Sequence, residues 1–194
     1  GTTKDVTLTS ASGAVTGTLI KSSGSMTITA SSGTVELVDV DTTNGSITVS
    51  ATGLITATDV VTGNNNNISL TGNGIAVSLI NAGTTGDVTL NAGTGAITQD
   101  GTDDKDDVTA DVLTADATTG IDLDTTVVSA NISVSGTGSI TIDELDALTL
   151  TDVDTIDGTI SVSTGGAIVA TDVVSGGTTK DVTLTSASGA VTGT

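Results

Sequence analysis

The chain has 194 residues, carries 23 acidic and four basic side chains for a net charge of −19, and contains no His, Cys, Pro, Phe, Trp or Tyr. Without His or Cys it lacks an ordinary base near neutral pH, a thiol nucleophile and a soft-metal site. All four basic residues are lysines (Lys4, Lys21, Lys105 and Lys180), so there is no guanidinium clamp for phosphate, and the charge repels nucleic acid and anionic lipid.

The opening stretch, Gly1 to Thr18, reads GTTKDVTLTSASGAVTGT, and Gly177 to Thr194 repeats it letter for letter, an offset of 177 − 1 = 176. Repetition on that scale makes residues 1–176 one unit of a tandem array, with 177–194 opening the next identical unit. Inside the unit a shorter period recurs. DVTLT (Asp5 to Thr9), SMTIT (Ser25 to Thr29), SITVS (Ser46 to Ser50), NISLT (Asn67 to Thr71) and DVTLN (Asp87 to Asn91) alternate polar and apolar residues at steps of 20 or 21. SITID (Ser139 to Asp143), TISVS (Thr159 to Ser163) and DVTLT (Asp181 to Thr185) continue the series. Alternation of period two predicts β-strands.

Further strand-like pieces follow a Gly: AVTGTLI (Ala14 to Ile20), TVELVDV (Thr34 to Val40), LITATDVV (Leu54 to Val61) and AITQD (Ala96 to Asp100). Thr and Val dominate them, which favours strand over helix. No apolar run approaches the ~20 residues of a membrane helix, so no membrane insertion is expected. A period near 20 holding two or three short strands fits one rung of a parallel β-helix, with rungs about 4.8 Å apart. The expected fold is therefore all-β: a parallel β-solenoid of eight or nine rungs per unit, roughly 40 Å long. Val6 and Leu8 should fill the lumen, and Thr7 and Thr9 should face out.

Two internal echoes support the scheme. Val35 to Gly63 matches Leu148 to Gly176 at an offset of 113, and Gly83 to Thr98 matches Gly177 to Thr192 at 94. The register is hardest to read between residues 100 and 131, where DGTDDKDD (Asp100 to Asp107) suggests an acidic loop leaving a corner.

DALTLTDVDTIDGTISV (Asp146 to Val162), GDVTLNAGTGAIT (Gly86 to Thr98) and NISVSGTGSITI (Asn131 to Ile142) resemble the repeats of giant bacterial surface proteins of the filamentous-haemagglutinin and large-adhesin type. The resemblance covers essentially the whole chain. It implies a right-handed parallel β-helix, secretion to the cell surface, and a fibrous or adhesive role without catalytic residues. The near-identical tandem unit departs from the usual varied repeat and suits a uniform filament or stalk.

The residues most able to carry chemistry are acids at turns. Asp39, Asp41 and Asn44 in VDVDTTNG, and their echoes Asp152, Asp154 and Asp157 in TDVDTIDG, place oxygen ligands before a Gly-assisted turn. Calcium is the ion such a loop would take, although no cofactor is required by the composition. The spacing is one residue off the EF-hand-like pattern and lacks its bidentate Glu, and the bland alternative is a solvated turn. Asp100, Asp103, Asp104, Asp106 and Asp107 form a second, less specific acidic group.

Outward Thr and Ser residues define another candidate. Thr7/Thr9, Thr27/Thr29, Thr48/Ser50, Ser69/Thr71, Thr89, Ser161/Ser163 and Thr183/Thr185 would form one hydroxyl face, interrupted at Ala110 and Asp111. Such a face resembles those of ice-binding β-solenoids, while Thr is also simply a good exposed strand residue. Asn64 to Asn67 could stack as an amide ladder or serve as a left-handed turn. The residues read together as a structural segment of a long extracellular filament, stalk or giant adhesin. Its expected partner is itself, end to end and in lateral bundles. A binding module, either a cation-dependent adhesin or an ice binder, is the competing class, and an enzyme is not expected.

Overall fold

The computed structural model describes residues 4–99, 101 and 107–193. It is an all-β parallel solenoid of about nine turns, built from rungs of roughly 20 residues. Rungs 1 to 4 each contain three strands. They are β1 (Val6–Ser10), β2 (Val15–Gly17) and β3 (Ile20–Ser22); β4 (Met26–Ala30), β5 (Val35–Leu37) and β6 (Val40–Thr42); β7 (Ile47–Ala51), β8 (Ile55–Ala57) and β9 (Val60–Thr62); and β10 (Ile68–Thr71), β11 (Ile75–Val77) and β12 (Ile80–Asn81). Rung 5 opens with β13 (Val88–Asn91) and β14 (Ile97–Gln99). Two long strands follow, β15 (Val108–Ala117) and β16 (Ile121–Thr137). The remaining strands are β17 (Ile140–Glu144), β18 (Leu148–Asp157), β19 (Ile160–Thr164), β20 (Ile168–Ala170), β21 (Val173–Ser175), β22 (Val182–Ser186) and β23 (Val191–Gly193). Every pairing between these strands is parallel, as expected when each rung hydrogen-bonds to the next.

The expected alternation holds. Val6 and Leu8 point inward and Thr7 and Thr9 outward, and in β4 Met26, Ile28 and Ala30 are buried. Equivalent positions stack from rung to rung. One column runs Leu8, Ile28, Val49, Leu70, Leu90, Ala115, Ile132, Val153, Val173. A second runs Val15, Val35, Ile55, Ile75, Ile97, Ile121, Ile140, Ile160, Val182. Each buried side chain contributes roughly 1.5–3 kcal/mol of transfer free energy. The lumen is narrow, which is why Val, Ile, Leu and Ala fill it.

A third column begins as apolar Ile20, Val40, Val60, Ile80 and Val108, then turns polar as Thr125, Glu144, Thr164 and Ser186. Each of the pieces AVTGTLI, TVELVDV and LITATDVV folds as two strands around a corner rather than one. Buried hydroxyls fix the corners that follow: Ser22 Oγ accepts from the Gly24 amide at 3.2 Å and donates down to the Lys4 carbonyl of the preceding rung at 2.5 Å, and Thr62 Oγ1 donates to the Asn66 carbonyl at 2.5 Å. Gly45 sits where a Cβ would overlap the backbone of Gly24 and Ser25 in the rung below, so close stacking there demands Gly.

Rung length is not constant. On the first column's face the steps from Val6 to Met26, Ile47, Ile68 and Val88 are 20 or 21, but Val88 stacks on Leu113, a step of 25, and Leu113 on Ala130, a step of 17. The shorter of these turns has nothing to spare for corner loops. Accordingly β15 and β16 run around corners without interruption. The acidic loop expected here falls on residues 100 and 102–106, which lie outside the described residues; Asp107 is described and fully buried.

Candidate functional site

The two predicted acidic turns are built differently. Lys21 on β3 is the in-register neighbour of Asp41 on β6, one rung apart. Its Nζ lies 3.0 Å from Asp39 Oδ1 and also pairs with an oxygen of Asp41. The Asp39/Asp41 pair thus faces a cation from its own chain. The two carboxylates hold the exposed Lys21 ammonium above its ordinary pKa, chiefly through their hydrogen bonds to it. Asp59, one rung above Asp39, is pushed up, first by burial and then by the charges of Asp41 and Asp39, with Lys21 opposing. Asn44 is not part of this cluster: its Oδ1 accepts a hydrogen bond from the Asn64 amide of the next rung.

In the echo, Asp154 is stacked above Ser133, whose Oγ donates to Asp154 Oδ1 at 2.8 Å. Asp152 stacks above Asn131. Asp157 is separate again, 3.4 Å from Lys180 Nζ. The structure therefore brings Asp39 and Asp41 together around a lysine, and leaves Asn44, Asp154 and Asp157 with three different partners. Among the described residues no group of three or more acidic side chains is placed to hold a metal ion. Lys21 and Asp59 were legible in principle, because each sits one period of the repeat away from an acid already singled out.

The hydroxyl column is corrected in its course. Thr7, Thr27, Thr48, Ser69, Thr89 and Thr114 are in register on one face, with Thr9, Thr29, Ser50, Thr71, Asn91 and Asp116 beside them. The expected break at Ala110 and Asp111 does not occur there, because the long rung places Thr114 in the column. Thr141, Ser161 and Thr183 belong to the other face, stacked above Asp122. The hydroxyls form two arrays, and among the described residues no single flat face runs along the whole chain. The Asn segment combines both expected roles. Asn64 and Asn65 adopt φ of 55°, a left-handed turn, and Asn64 also bonds to Asn44 across the rungs.

Sequence reasoning missed Glu144. It lies in the lumen, 1% exposed, in phase with the inward residues Ile140 and Ile142 of β17, so the alternation itself carried the signal. Glu144 Oε2 accepts from Thr125 Oγ1 at 2.8 Å and from the Val127 amide at 3.0 Å, and Oε1 accepts from the Asp146 amide at 3.1 Å. Burial raises its pKa, and these three donors oppose the rise. A cavity of about 190 Å³ bounded by Thr109, Thr126, Val127, Glu144 and Ala147 lies beside it. Both carboxylate oxygens are engaged in holding the corner, which gives Glu144 a structural task.

No protein-family model matches the chain, and no curated protein or solved structure matches it either. What the structure shares with the resemblance drawn from the sequence is the parallel β-helix itself.

Proposed function

We propose that this chain is a structural segment of a long β-solenoid shaft, a filament, stalk or giant surface adhesin outside the cell. One observation carries the reading. Among the described residues parallel ladders join each rung to the next, with register shifts between β16 and β18, and β22 and β23 repeat the residues of β1 and β2 letter for letter. A rod of identical units gains stability from neighbour contacts alone, and each covered edge removes a template for unwanted pairing. The acidic surface favours separate rods at low salt through self-repulsion.

Electron microscopy of the assembled protein, with and without a calcium chelator, tests this. Unbranched rods with an axial repeat near 40 Å, the height of one unit at about 4.8 Å per rung, are the expected result. Rods should survive chelation, since Lys21 already pairs with both Asp39 and Asp41. Fraying on chelation would make calcium a structural ion, with Asp152 and Asp154 the sites to examine because they face Asn131 and Ser133 rather than a lysine. Compact, monodisperse particles would sink the filament reading.

The in-register hydroxyl pairs of rungs 1 to 4 favour a second reading, a binding module whose partner is flat and hydrated. Ice-recrystallisation inhibition that disappears in Thr27→Lys/Thr48→Lys would support it.

A further inference from the structure

We infer that successive tandem units are joined with an offset of about a third of a turn, so that each unit presents its surface one face further round the shaft than the unit before. The inference rests on the tandem-array reading and adds its geometry. The two copies of GTTKDVTLTSASGAVTGT do not occupy the same place in the rung. In the first copy Val6 opens the first strand of rung 1 and stacks under Met26, Ile47 and Ile68. In the second copy Val182 lies in rung 9 on the other column, above Ile160, Ile140 and Ile121, the column that began at Val15. The repeat therefore spans eight complete turns and one further strand position.

Both internal echoes make the same step. Ile47 on the first face corresponds to Ile160 on the second at the offset of 113, and Val88 on the first face corresponds to Val182 on the second at the offset of 94. Val40, third in its rung, corresponds to Val153, which stacks in the column of Leu8. The first strand position passes to the second and the third to the first, while Leu150, the echo of Leu37 in the second, stacks above Ala130 in the column of Val6. The step is made once, between Val88 and Leu148, where the longest and shortest rungs sit.

The partner for the upper edge of rung 9 is then defined by residues already in contact here. β1 is covered by β4, and β2 by β5. β22 and β23 have the sequences of β1 and β2, so they should accept strands with the sequences of β4 and β5 from the following unit. Val182 and Val191 are 43% and 48% exposed and become buried on that pairing. The hydroxyl array follows the same path: rungs 1 to 6 on the first face, rungs 7 to 9 on the second. A flat partner, or a parallel neighbouring shaft, meets the same face again only at every third unit.

Cysteine pairs in the full chain test the register. Neighbouring rungs place Cα atoms about 4.8 Å apart, within disulfide range. Thr7→Cys/Thr27→Cys is the control. Ser161→Cys/Thr183→Cys should oxidise as completely as the control, and Asp152→Cys/Thr183→Cys should not. If the control closes and the Ser161/Thr183 pair does not, or if Asp152/Thr183 closes in its place, the offset is wrong. A chain of three tandem units carrying gold-labelled Thr27→Cys in each unit separates this from the array reading. A continuous rod with labels at three azimuths supports both. A continuous rod with labels in one row keeps the array and overturns the offset. Separate globules overturn the array while the cross-links still report the register.

Discussion

A buried carboxylate in an apolar lumen is an expensive choice, and Glu144 shows what makes it tolerable. Its two oxygens accept from Thr125, Val127 and Asp146, so three donors at one corner depend on it. Glu144→Ala should cost roughly 3 kcal/mol, because buried donors left without an acceptor lose about 1–3 kcal/mol each; chemical unfolding measures it. The pH dependence has a definite sign. Glu144 and Asp59 both titrate above their ordinary values. The unfolded chain releases those protons first, so their contribution is full at acid pH and is lost as pH rises through the raised values. Thermal scans between about pH 4.5 and 8 should show Tm falling as pH rises, with a shallower slope in Glu144→Gln. Lys21 works in the opposite direction on Asp59. Lys21→Met leaves Asp39, Asp41 and Asp59 facing one another, so it should lower Tm at low ionic strength, with the loss shrinking in high salt as the repulsion is screened.

At the level of the strand, inside and outside are separated by one residue. Ile28 is fully buried and Thr27 beside it is exposed. Ile28→Ala should cost about 2–5 kcal/mol and Thr27→Ala about 0.5 kcal/mol or less, read as the shift in denaturant midpoint. The larger loss should also be local. In a solenoid each rung contacts only its neighbours, so hydrogen exchange should rise in β1, β4 and β7 before it rises in β19 or β22. Uniform loss of protection along the chain would show instead that all nine rungs unfold as one unit.

Across the whole molecule, net charge and rung stacking oppose each other. A charge of −19 on a rod repels parallel rods, and salt weakens that repulsion over a Debye length of about 10 Å at 0.1 M. Light scattering should therefore show lateral association growing with ionic strength, and faster with calcium or magnesium than with sodium at equal ionic strength. No salt dependence would mean that end-to-end stacking, which buries apolar edges such as Val182 and Val191, governs assembly alone. The third-of-a-turn offset adds a limit: two parallel shafts of identical units can match the same faces only at intervals, which discourages extended sheets.

The alternation of Val6, Thr7, Leu8 and Thr9 and its return once per rung were enough to read a parallel solenoid, its lumen and its outward hydroxyls from the sequence. Those features depend on local periodicity, which a chain displays whatever it packs against. The acidic turns were legible only as candidates. Asp39 and Asp41 share an outer surface by strand geometry, but the cation they meet is set by which residue lies one rung below. That is Lys21 in one copy and, for Asp154 in the other, Ser133. The transfer of Val182 to a second face needed the tertiary structure for a related reason. It follows from the unequal rungs between Val88 and Ala130, and a change in rung length alters every later neighbour without leaving a mark on the alternation inside any one strand.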